Sequence, residues 1–450
     1  IRKFGKSQIA FALSASAKDS LVKSALRWDD SKQDKHYGEI LADLKWERDN
    51  RLSLFVHPTD FAINDTTWHV YSGRVLFNHP SIKIDDFYVG RENQWLKIGG
   101  GFSNSPKDSL LVELKDIDVN YILNLFDIKP VKFNGMATGV ATVRKAKSDS
   151  IDINGVLAIP NFHFNDALLG DANIHINWNS SNGRSCFDNT IIEEKGIGYT
   201  AVNGFVSPPE KGLDLQIQSK NTNLAFLNKY LNGILEDVEG RTTGGTRIHG
   251  AFKAIDFSGT QNPELKITIP AIGVRFGLDE GVVSLSPGIF DFSHFRISDK
   301  EGNFGEFSGE MTHDHLKNIR YDFLLSEANN LLLYDKPRRV DMPFYATAYA
   351  HGNLRLSGEP GALRVNADIR PGDDTKFVYI VDDPSTSSGD SQLLNFVSED
   401  NNSGGITNHA SSVSSSTPQK DSKMHLLFHF DINMNPQATL RVITNPKSGD

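Results

Sequence analysis

The chain has 450 residues, 47 Lys and Arg against 56 Asp and Glu, and a formal net charge of −9. That balance leaves no basic field to neutralise phosphates and excludes a nucleic-acid binder. The one cysteine, Cys186, excludes a disulfide framework and a Cys-based zinc site. With 38% hydrophobic and 10% aromatic residues the chain is too apolar to be disordered, and it holds no run of 18 apolar residues that would span a bilayer as a helix.

The sequence opens at Ile1 in a pattern that reads as strand and closes on Asn445-Pro446-Lys447-Ser448-Gly449-Asp450, a turn with no closing element. Both ends read as cuts in a longer protein. Between them, apolar residues alternate with polar ones. Leu52, Leu54 and Val56 open the series, followed by Ile82 and Ile84, then Ile174, Ile176 and Trp178. Further along come Leu213, Leu215 and Ile217, then Leu265, Ile267 and Ile269, then Leu363, Val365, Ala367 and Ile369. A last stretch places Met424, Leu426, Phe428, Phe430, Ile432 and Met434 on one side. Successive strand side chains point to opposite faces, so each segment predicts a ribbon with one apolar and one wetted face. The class is all-β, an elongated curled sheet with a few short helices.

Three helix starts interrupt the alternation. Asp118 precedes Val119, Ile122, Leu123 and Phe126. Asn223 precedes Leu224, Leu227 and Leu231. Asn330 precedes Leu331 and Tyr334. These spacings predict helices over 118–126, 223–231 and 330–334. After the first helix stand Gly135 and Gly139; after the second stand Gly240 and Gly244, 105 residues further on. Gly204 and Gly309 share that offset. The third copy carries Ala346 and Ala350 where glycine is expected. The chain thus reads as repeated modules with a period of about 105 over residues 1–383. A strand glycine removes a side chain, so these positions predict a close approach of the helix or a bend in the sheet.

Residues 384–422 are rich in Ser, Asn, Gly and Asp and predict a flexible insertion, after which the sheet continues over 423–450. Chemistry-bearing motifs are scarce. His313 and His315 share a strand face but have no third metal ligand beside them, so an exposed turn is expected there. His425 and His429 fall on a wetted strand face, and Cys186 reads as a small, part-buried residue. The acid pairs Asp29-Asp30, Asp85-Asp86, Asp373-Asp374 and Asp382-Asp383 sit at turns, with nothing to select one as a glycosidase pair. No phosphate loop, nucleophile elbow or metalloprotease motif occurs. No enzyme, cofactor or metal is expected.

The apolar face is the feature left to explain. Thirty strands at ~4.8 Å spacing give a ribbon of about 140 Å. Such a face either closes on a second sheet or curls into an apolar trough, and composition fits both. The expected lining is Leu213, Leu215, Ile217, Leu265, Ile267, Ile269, Ile174, Ile176, Leu354 and Leu356.

Several stretches resemble the TamB family, the translocation and assembly module proteins of the AsmA-like superfamily. They are Asn221-Thr222-Asn223-Leu224-Ala225-Phe226-Leu227 and the Asp299-Lys300-Glu301-Gly302-Asn303 turn before Gly309. A third runs from Met342-Pro343-Phe344-Tyr345 to Leu354-Arg355-Leu356-Ser357-Gly358. The fourth is Asn435-Pro436-Gln437-Ala438-Thr439-Leu440-Arg441-Val442-Ile443, which looks like the lead-in to a C-terminal domain. The resemblance covers most of residues 68–383 and 423–450. It implies a β-taco, a curled sheet with an apolar groove crossing the periplasm of a diderm bacterium. The implied role is phospholipid transport between inner and outer membranes, with acyl chains as the partner in the groove. It also implies an inner-membrane anchor before this segment. The other role it implies is outer-membrane protein assembly with an Omp85-type partner, engaged through a C-terminal domain beyond it. A closed-core β-solenoid of the envelope is the structural alternative.

Overall fold

The structure is a computed structural model. It describes residues 2–4, 7–29, 36–47, 51–63, 66–105, 107–120, 132–145, 150–193, 196–339, 342–380, 425–432 and 438–443. Among these, thirty β-strands join into one sheet, and nearly every neighbour in sequence is an antiparallel neighbour in space. Six strands continue the line of an adjacent one end to end, as Leu52–Val56 and Thr59–Ile63 do against Tyr37–Trp46. Strands Val274–Asp279 and Val282–Ser286 do the same against Ala254–Ile269. The thirty strands therefore fill fewer positions than the even spacing assumed from sequence, and the sheet is shorter, about 110 Å at ~4.8 Å per position.

The sheet folds along a line of β-bulges. Pairing register slips between Leu114 and Ile117, Ile159 and Phe162, Ser219 and Thr222, Phe292 and Phe295, and Leu325 and Ala328. Each slip holds one residue with positive φ: Asp116 (52°), Asn161 (50°), Asn221 (55°), His294 (59°) and Glu327 (52°). An extra residue on one strand bends it and raises its twist, and a series of bulges at one level of successive strands bends the whole sheet. A bulge also frees a backbone N–H. Four of these donors find side-chain acceptors on the next strand. Asp116 N–H donates to Thr138 Oγ1 at 3.0 Å, Asn161 to Asp171 Oδ1 at 2.9 Å, Asn221 to Thr243 Oγ1 at 3.0 Å, and Glu327 to Asn353 Oδ1 at 3.2 Å.

Two of these devices are 105 residues apart, and the same offset repeats their surroundings. The Asp118 carboxylate accepts from Asn120 N–H and the Asn223 amide from Ala225 N–H, both at 2.9 Å. Val119 N–H donates to Gly135 O at 3.0 Å and Leu224 N–H to Gly240 O at 2.9 Å. The glycines hold the chain entering each helix against the sheet. Gly240 has φ +144°, and a Cβ there would lie 2.1 Å from the Glu264 carbonyl oxygen. Helical turns follow at Ala225–Leu227 and Asn228–Leu231. Of the predicted first helix, Val119 and Asn120 are helical and 121–126 lie outside the described residues.

The third predicted helix is a strand. Residues 330–334 lie within Lys317–Lys336, which continues through further bulges, with Asn330 at φ 51°. Asn330 caps nothing; its N–H donates to His351 Nδ1 at 3.1 Å. The irregular register turns both Leu331 and Leu332 into the core, where they are 0% and 2% exposed.

Two apolar clusters sit at the bend. One gathers Ala137, Ile159, Phe162, Ala172 and Ile191, from both sides of the bulge line. The other gathers Val274, Phe276, Leu278, Phe295, Ile297, Leu325, Ala328, Leu331 and Leu332. The second is tied by the Asp299 carboxylate of the Asp299-to-Asn303 turn. Asp299 Oδ1 accepts from Glu301 and Asn303 N–H at 2.9 and 3.0 Å. Its Oδ2 accepts from Asn303 Nδ2 at 3.0 Å and from Leu332 N–H at 2.9 Å. Asp299→Ala would leave the buried Leu332 N–H unpaired and the turn unlatched. It is expected to cost about 3 kcal/mol of unfolding free energy, read from the urea midpoint.

At the C-terminal side the pairing changes. Strand His425–Ile432 runs parallel to Ala362–Pro371, and Thr439–Ile443 runs parallel to Lys376–Ile380. The 384–422 segment lies outside the described residues, but its flanks set its reach. A hairpin cannot join parallel strands; a crossover of about a dozen residues or more is required. The described strands on either side therefore cannot be joined by a short linker. Replacing 381–424 by about five residues should abolish hydrogen-exchange protection of 425–432, whereas about 25 flexible residues should preserve it.

Candidate functional site: an apolar trough along the folded sheet

On the inner face, directly opposed residues form rows that cross the sheet. One row runs Phe87, Ile98, Val112, Ala141, Gly155, Ile176, Phe187, Gly204, Leu215, Ile248 and Phe257. Two residues further from the bend, a parallel row begins at Ala17, Val22, Leu44, Leu54, Val75 and Ile84. It continues through Gly100, Leu110, Val143, Ile153 and Trp178 to Ser185, Val206, Leu213, Gly250 and Ile255. Neither row holds a charged residue. Near the C-terminal side Phe292, Gly309, Phe323, Leu356 and Val365 make a corresponding row.

Burial along a strand depends on distance from the bend. Ala137, Ile159 and Ala172, beside the bulge line, are 1 to 2% exposed. Ile176, Leu213 and Leu215, further out on the same face, are only half-buried. The inner face is closed at the bend and open away from it.

The ten expected lining residues all lie on this face, at two depths. Leu213, Leu215, Ile217, Ile176 and Leu356 are half-buried in the outer part. Leu265, Ile267, Ile269 and Leu354 pack against the Val274-to-Leu332 cluster, and Ile174 packs against the Ala137-to-Ile191 cluster. Of the polar alternates, Gln216 and Lys266 are exposed, and Asp214 and Thr268 are half-buried. Asp214 is engaged by Arg247, whose Nε and Nη2 donate to its two oxygens at 2.8 and 2.7 Å. Those hydrogen bonds hold its carboxyl below the usual range. Arg355 does the same to Asp322. Sequence reading missed Phe187, Ile248 and Phe257 in the trough. Only strand alternation could have flagged them, because the register that joins them is set by long-range pairing.

Two side chains differ from expectation. Cys186 is exposed, because it alternates with the inward Phe187. His313 is buried, 8% exposed, with its ring edge-on to Phe290 at 4.6 Å. The hairpin after Gly309 does turn at Asp314–Lys317, but His313 precedes the turn and points inward. Its Nδ1 accepts from Leu316 N–H at 3.2 Å, so the neutral ring carries its proton on Nε2. His315 turns away to Asp256, Nδ1 to Oδ1 at 3.1 Å. No cluster of three or more metal-ligating side chains occurs among the described residues.

The fold and the face define a class: a folded all-β sheet whose inner face carries long apolar rows. Residues 293–448 match the family model of the TamB C-terminal domain. That range is about a third of the chain, and the resemblance read from its motifs is supported there. The match begins well before the closing stretch that reads as a lead-in to such a domain. Comparison with curated proteins gives no match, nor does comparison with solved structures. The family is a non-enzymatic one of the bacterial envelope, concerned with outer-membrane assembly and transport. No helix among the described residues is long and apolar enough to cross a membrane.

Burial pushes the His313 imidazole below its ordinary value, with Asp256 pulling the other way. A folded value below the unfolded one means that the unfolded chain takes the proton first, so stability falls as pH drops below about 6.5. The lowered carboxyls of Asp214 and Asp322 act only below about pH 4. Between pH 7.5 and 5.5 the thermal midpoint should therefore fall more in the native chain than in His313→Phe.

Proposed function

We propose that the inner face is a path for phospholipid acyl chains between the two membranes of a bacterial envelope. The observation that carries this reading is the row from Phe87 to Phe257, apolar or glycine at each paired position and only half-closed at Ile176, Leu213 and Leu215. A 16-carbon chain entering water forfeits roughly 13 kcal/mol at about 0.8 kcal/mol per CH₂. A continuous apolar row removes that barrier, and the open side lets a headgroup stay in water. Anchorage in the inner membrane and an Omp85-type partner at the outer membrane belong to the same reading, as ends for the path. The family match equally supports a role in outer-membrane protein assembly, in which the trough would hold extended polypeptide.

A photo-crosslinker at Leu215 in the full-length protein should capture phospholipid in cells, and one at Gln216 on the outer face should not. Leu215→Asp should abolish function at normal protein level, because an unpaired ion beside acyl chains costs several kcal/mol. Capture of polypeptide in place of lipid favours the assembly role. Equal capture from both faces, or loss of the protein on substitution, favours a closed structural core.

A further inference from the structure

One stretch of the inner face is polar at depth. Along the bend the opposed row reads Ala172, Ile191, Thr200, Ser219, Gly244, Gln261, Val283 and Phe292. It is apolar at both ends and polar in the middle. Thr200, Ser219, Thr222 and Thr242 are buried, at 5 to 8% exposure. The three threonine hydroxyls are hydrogen-bonded to one another, to the backbone or to Gln261. Thr200 Oγ1 and Thr222 Oγ1 are 2.7 Å apart, and Thr222 Oγ1 also donates to Tyr199 O at 3.2 Å. Thr242 Oγ1 donates to Gln261 Oε1 at 2.7 Å, and Gln261 Nε2 donates to Thr246 Oγ1 at 2.9 Å. Thr246 is half-buried and accepts this bond, which leaves its own proton to point elsewhere, on the face it shares with Ile248. This belt separates the two apolar clusters of the bend.

A structural floor does not require it. Exchanging a buried hydrogen-bonded pair for apolar groups of the same shape is close to neutral for stability, and the flanking strands fill the same level with Ala, Ile, Val and Phe. The belt does change what can rest there. A methylene set against hydroxyls and an amide gains less than one set against carbon. Over these strands the apolar surface away from the bend starts at Val202 and Ile217, level with Thr246, and continues outward at Leu215, Ile248 and Phe257. We propose that the Thr200–Thr222 and Thr242–Gln261–Thr246 hydrogen bonds form a sill in the trough. It lifts acyl chains away from the bend and sets how deep, and hence how long, a chain can be seated as it passes. This inference rests on the lipid-path reading and goes beyond it by assigning a depth-selecting element.

The test uses the whole chain and vesicles of phosphatidylethanolamine and phosphatidylglycerol containing a phospholipid with a diazirine at the end of a 12- or 18-carbon chain. Adducts are mapped by mass spectrometry. In the native chain the chain-end label should fall on Leu215, Ile248 and Phe257 about tenfold more than on the Thr242–Thr246 peptide, roughly the factor for two methylenes. In the triple variant Thr242→Val, Thr246→Val, Gln261→Leu the 18-carbon label should spread to that peptide and the 12-carbon label should not. Thr246→Ser should behave as the native chain. Equal labelling of both depths in the native chain overturns the sill, and that measurement needs no variant to fold. A label that does not move in a folded triple variant overturns it as well. Absence of lipid label anywhere on the inner face, Leu215 included, overturns the path itself.

Discussion

The structure depends on the backbone hydrogen bonds released at the bulge line. A sheet of this length with one apolar face cannot stay flat in water, and a bend placed in strand after strand is the means by which it folds on itself. Each bend takes a backbone N–H out of the strand ladder, and at four of the five the freed donor meets a side-chain acceptor on the exposed outer face. Thr138, Asp171, Thr243 and Asn353 accept those donors from the next strand. The bend in one strand is thus secured by the side chain of its neighbour, which is why the bulges sit at one level across the sheet. Asp and Asn at several of the positive-φ positions tolerate that backbone more readily than branched residues would.

Once the bend is fixed, the fate of the apolar face follows. Residues on both sides of the bulge line meet as a core, as Ile159 and Phe162 do from one strand. Further out the two sides diverge and the same face is left half-buried. A solvated outer face balances it, with cross-strand ion pairs such as Asp214 with Arg247 and Asp322 with Arg355. These pairs are exposed and add little stability. Their effect is to make the outer face a poor surface for a second sheet, so the sheet closes on its own bend.

Much of the fold was legible in the sequence because strand alternation is a local signal. Leu213, Leu215 and Ile217 name a strand and its face with no knowledge of the neighbours. The helix after Asn223 was legible for the same reason, since its cap and its apolar spacing lie within ten residues. The run Asn330-Leu331-Leu332 was misread because a cap followed by leucines has the same local form as a bulged strand with two consecutive buried residues. What separates them is the partner strand Phe344–Glu359, which pairs through the whole stretch. The bulge line was illegible as such. Asp116, Asn161 and Asn221 look like ordinary polar alternates, and their acceptors stand 10 to 22 residues away.

Depth in the trough was illegible for a related reason, and it decides what a lining residue is. Ile174 and Ile176 are chemically alike, two apart on one strand and on one face. Ile174 packs against the bend cluster, while Ile176 stands opposite Gly155 and Phe187 in the open row. Alternation assigns both to the inner face; only the distance to the nearest bulge separates core from open row. The same holds for Leu265, Ile267 and Ile269, which lie on the bend side of Gln261 and join a core, while Ile255 and Phe257 on the other side of it remain in the rows. A residue type on a strand face is therefore an incomplete description of a trough of this kind. The bend supplies the missing coordinate, and an apolar residue joins the core or stands in the half-buried rows according to which side of that coordinate it occupies.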